Sequence, residues 1–128
     1  MKKSILIYTL IISAWTLFIN KAQAQDNDAQ RTILVINAVV DQEHKAELKE
    51  YLSQMMKIFK EHGGEPLGRY KTIEKISGSQ VPEMIALISF ENSNVVKTLL
   101  NSAEYKNLSE LRKRVFSDLK IVLCSNLN

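Results

Sequence analysis

Three side chains in this sequence carry acid–base or ion-pairing chemistry beside apolar neighbours: His62, Tyr105 and Arg112. Histidine titrates closest to neutrality, so it can shuttle a proton near pH 7. Arginine stays charged and offers a planar fork of donors that suits a carboxylate or enolate. Tyrosine adds an apolar wall with a hydroxyl at its end. His62 follows Phe59 by three residues and so continues an inward helical stripe. It either caps the last helical carbonyls or stands as a polar group at the mouth of a cavity between helix and sheet. Arg112 follows Leu108 by four residues and Tyr105 by seven, so it borders an apolar stripe. Lys113 and Arg114 point elsewhere and read as a solvated basic turn near a helix C-terminus.

Other chemistries lack their residues. His44 and His62 lie eighteen residues apart on one helix, roughly 27 Å at 1.5 Å per residue, so they do not share a metal. There is no HxH, HxxxH or Cys/His cluster, and no metal is expected. No GxSxG elbow, GxGxxG turn or Walker loop occurs. No cofactor is expected, and no catalytic residue is assignable.

The first residues belong to targeting. MKK is followed by an uncharged apolar run and then by NKAQA, with Ala22 and Ala24 in the spacing that signal peptidase reads. Residues 1–24 are therefore expected to be a signal peptide cleaved between Ala24 and Gln25, giving a periplasmic or secreted protein with no membrane association after cleavage. The alternative is an uncleaved anchor, for which the run is slightly short. Residues 25–31 form a polar tether and 32–128 one domain. The sequence has 17 Lys and Arg against 14 Asp and Glu, and Lys2, Lys3 and Lys21 leave with the leader. The mature charge is then near zero, which gives no support to nucleic-acid binding. Cys124 is the sole cysteine, so no internal disulfide is expected. It reads as a small buried apolar residue, with an intermolecular disulfide as the alternative.

These side chains are positioned by six elements. TILVINAVV, residues 32–40, is β-branched and apolar on both faces, a central strand. A helix follows Asp41, with Leu48, Tyr51, Leu52, Met55, Met56 and Phe59 in one stripe. In EHGGEPLGRY, residues 61–70, Gly63 closes that helix and Pro66 prevents its resumption. Residues 67–76 read as an edge strand on which Arg69 and Tyr70 face opposite ways, so only one of them faces the helices. EMIALISFE, residues 83–91, is a second two-sided apolar strand. Asn92 or Ser93 caps a short helix, Ser102 caps a second helical piece, and DLKIVLC, residues 118–124, is the last strand. The order β-α-β-β-α-β is that of a ferredoxin-like α+β fold, a four-stranded antiparallel sheet with helices on one face. The other face is also apolar, and a second copy of the chain is its expected cover, making a homodimer. Taking the first and third strands as parallel at the centre, the two helices run the same way, and His62 and Arg112 meet at one end of the sheet. With Tyr105 they form the candidate ligand-binding set.

Several stretches together resemble the domain-of-unknown-function family DUF1330 of the dimeric α+β barrel superfamily. They are EHGG before a strand with LGR, the SG turn at Ser77-Gly78, ISFEN entering a helix, and SAEYKNLSELR. Tyr105 and Arg112 match the family's Y…R pattern. The last strand ends IVLCSN, where the family usually has a glycine. The resemblance implies a dimeric barrel with a pocket. Relatives in the superfamily include small monooxygenases, isomerases and haem- or dye-degrading proteins.

Three functions follow as expectations. One is a small organic ligand bound between sheet and helices. Another is a non-catalytic interaction module using the same dimer. The third is a cofactorless monooxygenase- or isomerase-like enzyme. A buried acid–base pair would separate the enzyme from the rest.

Overall fold

The computed structural model describes residues 31–127. The expected signal peptide, its cleavage site and all of the tether but Arg31 lie outside the described residues. No helix among the described residues is long and apolar enough to cross a membrane.

Strand β1 (Thr32–Val40) leads through a 3-10 turn (Gln42–Glu47) into helix α1 (Leu48–Glu61). Strands β2 (Glu65–Lys71) and β3 (Met84–Phe90) follow. Three short helices, α2 (Ser93–Asn101), α3 (Ala103–Asn107) and α4 (Ser109–Val115), then deliver the chain to β4 (Phe116–Cys124). The sheet order is β2-β3-β1-β4, and every neighbouring pair is antiparallel. This is the ferredoxin-like architecture expected from the sequence.

The core lies between the helices and one face of the sheet. Alternation on β1 sends Leu34 and Ala38 inward, where they are buried against Tyr51, Met55, Ile58 and Phe59 of α1. Val96, Leu99 and Val115 complete the layer from the later helices and are fully buried. The Phe59 and Phe90 rings meet edge to face, with centroids 5.9 Å apart.

The caps follow local chemistry. Asp41 Oδ1 accepts the Glu43 amide at 2.9 Å and starts the 3-10 turn. At the far end of α1, Gly63 takes φ +76°. Its amide reaches the Lys60 carbonyl at 3.0 Å, and the Gly64 amide reaches that of Phe59 at 2.7 Å. This pair of bonds is a Schellman motif. Gly64 has a different reason to be glycine: a Cβ there would stand 2.8 Å from the Phe59 carbonyl and from the Phe90 ring. Asn92 Oδ1 accepts the Val95 amide and caps α2.

The structure corrects four expectations. The first and third strands are antiparallel, not parallel. Because β4 also runs against β1 and starts opposite its end, at Val40↔Phe116, the helices that feed β4 arrive beside the beginning of α1. The second helical region is broken at Ser102, as expected, but its second piece is broken again at Leu108. Ser102 is extended (φ −65°, ψ 150°) and its hydroxyl takes the Tyr105 amide, and Leu108 interrupts the next turn. Strand β2 ends at Lys71, before an exposed segment carrying Ile73 and Ile76. Finally, Cys124 is exposed, because it lies on an edge strand with its side chain on the face away from the helices.

That second face carries Ile33 and Val35 of β1, Ile85 and Leu87 of β3, and Val122 of β4. Tyr70 is 54% and Val122 48% exposed in the single chain.

Candidate functional site

An apolar cavity of about 60 Å³ lies between α1 and the helix-facing side of the sheet. Leu34, Ile36 and Ala86 form its floor, and α1 contributes Tyr51, Met55 and Met56. Leu100 and Tyr105 close it from the second helical region. Met55, Met56 and Met84 all line it, and these are all the methionines beyond Met1. Methionine side chains are unbranched and readily change shape, so this wall can adapt to what it meets.

Arg69 is the one charged side chain among the described residues lining the cavity. It pairs with Ala86 across the β2–β3 ladder, so it is Arg69 and not Tyr70 that faces the helices. A register shift between Pro66 and Gly68 sets this phase. Leu52, Met56 and Arg69 also wall an outer groove that contains Lys45, Lys49 and Ser53. The cavity therefore opens to the surface between α1 and β2.

The structure brings Tyr105 and Arg112 together and adds Tyr51. The Arg112 Nε donates to the Tyr51 hydroxyl at 3.1 Å, and its Nη2 donates to the Tyr105 carbonyl at 2.9 Å. The guanidinium also lies over the Tyr105 ring, 3.8 Å from its centroid. Arg112 is thus occupied in tying α4 to α3 and α1. It holds Tyr51 and Tyr105, and those two side chains, not Arg112, line the cavity.

Burial pushes the Tyr51 phenol above its ordinary pKa, and the Arg112 hydrogen bond and charge oppose this only in part. Tyr51 therefore keeps its proton at neutral pH while accepting from Arg112. Its ring packs edge to face on Phe116, with centroids 5.2 Å apart.

His62 is not part of this assembly. It is eleven residues beyond Tyr51 on α1, about 16 Å along the axis at 1.5 Å per residue. Its Nδ1 lies 2.9 Å from the Ile58 carbonyl, a bond to the last turn of its own helix. The expected meeting of His62 and Arg112 rested on parallel first and third strands, and the antiparallel sheet places them at opposite ends of α1. Arg114 also differs from expectation. Its Nη2 pairs with Glu47 at 3.0 Å and fastens α4 to the 3-10 turn. Lys113 meets Glu110 at 3.4 Å on the surface.

Asp41, Glu43 and His44 bring three potential ligand atoms within 4.8 Å of one another, a grouping that spacing alone did not suggest. Their arrangement follows from capping. Asp41 takes the Glu43 amide, and His44 Nδ1 lies 3.7 Å from the other Asp41 oxygen.

Sequence reasoning treated Tyr51 as core and left Arg69 undecided. For Tyr51 the missing signal is long-range, since Arg112 is 61 positions away. For Arg69 the clue was present in strand alternation, but the bulge that sets its phase was not.

The family profile described as "Domain of unknown function (DUF1330)" matches residues 32–126. A search of curated proteins found no match. Among solved structures, a protein of unknown function from Rhodopseudomonas palustris is similar over 84% of this chain and 91% of its own, with TM-score 0.67 and 10% identity. A dabb family protein with a ferredoxin-like fold from Mesorhizobium loti covers 77% of this chain and 98% of its own, with TM-score 0.58 and 12% identity. A Nitrosomonas europaea protein, proposed to be an antibiotic biosynthesis monooxygenase, covers 77% and 92%, with TM-score 0.59 and 12% identity. At these identities the likeness concerns the fold.

Proposed function

Because the chain belongs to the domain-of-unknown-function family DUF1330, whose description carries no activity, we propose a function from the cavity itself: binding of a small organic ligand between sheet and helices. The observation that supports it most is an apolar cavity walled by adaptable methionines, with a charged residue at its rim and a route to solvent. At about 60 Å³ the space is well below the roughly 300–1,000 Å³ of ordinary ligand pockets. The ligand is therefore small, or the methionines move to admit it.

We assign no catalytic step. Tyr51 is a proton-bearing hydroxyl held in place by Arg112, and no general base among the described residues stands beside it. The protein is further proposed to be exported, on the basic start, apolar run and AQA of its first residues. The mass of its N-terminus after export reads this directly, with Gln25 first as the expected result.

A thermal-shift screen of small organic compounds tests the binding reading. A true ligand raises the melting temperature saturably. Ala86→Leu fills the cavity from the sheet side and should abolish that shift. A compound that stabilises both forms equally binds elsewhere, and the reading then fails.

A further inference from the structure

The chemical class of the ligand is written in the charges around the opening. Lys45, Lys49 and Arg69 share the outer groove, and none of the three side chains makes a hydrogen bond or ion pair among the described residues. The other three arginines are engaged: Arg112 by two tyrosines, Arg114 by Glu47, Arg31 by Glu65 and Ser89. Lys71 and Lys45 flank a second recess beyond Met84. The carboxylate there, Glu83, is taken by the Val40 amide at 2.9 Å. The groove at the entrance to the apolar cavity is thus lined by three cations and no carboxylate. Their summed field favours an anion at that entrance.

We propose that this site takes a small amphipathic carboxylate, with its apolar body in the cavity and its acid group on Arg69. The proposal rests on the ligand-binding reading above and specifies its chemistry. Arg69 belongs to both spaces, lining the cavity with Met56 and the groove with Lys45 and Lys49. It can therefore meet the head of a ligand whose tail is inside. Its fork of donors fits a carboxylate in two bonds. The cavity of about 60 Å³ corresponds to roughly four water-sized spheres at ~15 Å³ each. That scale suits a body of a few carbons and excludes a long acyl chain.

The methionines give a direct reading, because three of the four line the cavity. The purified protein, methyl-labelled at methionine, is titrated with hexanoate, 1-hexanol and hexylamine and followed by NMR. Hexanoate should move the cavity methyl signals saturably and bind at least fivefold tighter than hexanol, with hexylamine weakest. Arg69→Gln should lose the preference for hexanoate, which then binds no tighter than hexanol does to the same variant. Equal binding of hexanoate and hexanol, or an Arg69→Gln variant that keeps the preference, overturns the carboxylate assignment and leaves the cavity reading intact. If none of the three compounds moves any methionine methyl signal, both readings fall.

Discussion

The Arg112 guanidinium carbon stands 3.8 Å from the centroid of the Tyr105 ring while its Nε holds the Tyr51 hydroxyl at 3.1 Å. One side chain thereby fixes two walls of the cavity that come from different helices. Arg112→Met should strand the Tyr51 hydroxyl and the Tyr105 carbonyl, at a loss of about 2 kcal/mol. Tyr51→Phe should lose about 1 kcal/mol, and the double variant less than the two combined. Urea unfolding of the three variants checks this. Full additivity would mean the two side chains do not act on each other.

Tyr51 also gives the stability a pH dependence. Its pKa lies above the ordinary value of 10.0 in the folded chain. Between the unfolded and folded values the folded state holds the extra proton, so stability falls as pH rises through that window. The contribution is fully present below about pH 10. Unfolding measured from pH 8 to 11 should show a steeper alkaline loss in the native sequence than in Tyr51→Phe. Matching slopes would remove Tyr51 as a cause.

The end of α1 is expected to respond to substitution in a set order. Gly64→Ala should destabilise most, because its Cβ meets backbone and the Phe90 ring at 2.8 Å. Gly63→Ala should cost about 1 kcal/mol, through its φ of +76° alone. His62→Gln should cost about 0.5 kcal/mol, the scale of one partly exposed cap contact, and leave ligand affinity unchanged. Melting temperatures rank the three, and a titration with any ligand found tests the last point.

The apolar face away from the helices calls for a partner, and a second copy is the one proposed. Val35 sits between Leu87 and Val122 at the centre of that face. Analytical ultracentrifugation should show a dimer for the native chain. Val35→Lys should shift it to monomer, since a charge would be buried without a counter-ion. A monomer at high micromolar concentration in the native chain ends the proposal.

The elements were legible where local chemistry decides them. Asp41, Asn92 and Ser102 cap where a side-chain oxygen precedes a helical run, and Gly63 stops α1 where its left-handed φ is needed. The stripe on α1 was legible apart from Ile58, which the spacing pattern passed over and the fold buries. What escaped was direction. A strand's residues do not state whether its neighbour runs with or against it, and taking β1 and β3 as parallel carried Arg112 to the wrong end of α1. The partners of Arg112 are set by the path of α3 and α4, which depends on breaks at Ser102 and Leu108. The break at Ser102 was legible as a cap, but Leu108 offers no capping side chain, so the second break is a tertiary outcome.

Those breaks have a dynamic consequence. Helices of 9, 5 and 7 residues are too short to persist alone in water. They survive because capping groups and the guanidinium of Arg112 link each to its neighbours. Residues 102–115 should then behave as one cooperative unit in hydrogen exchange, their amides opening together and ahead of those in β1 and β3. Each such opening withdraws Tyr105 from the cavity wall, and so gives a ligand a second way in beside the one between α1 and β2.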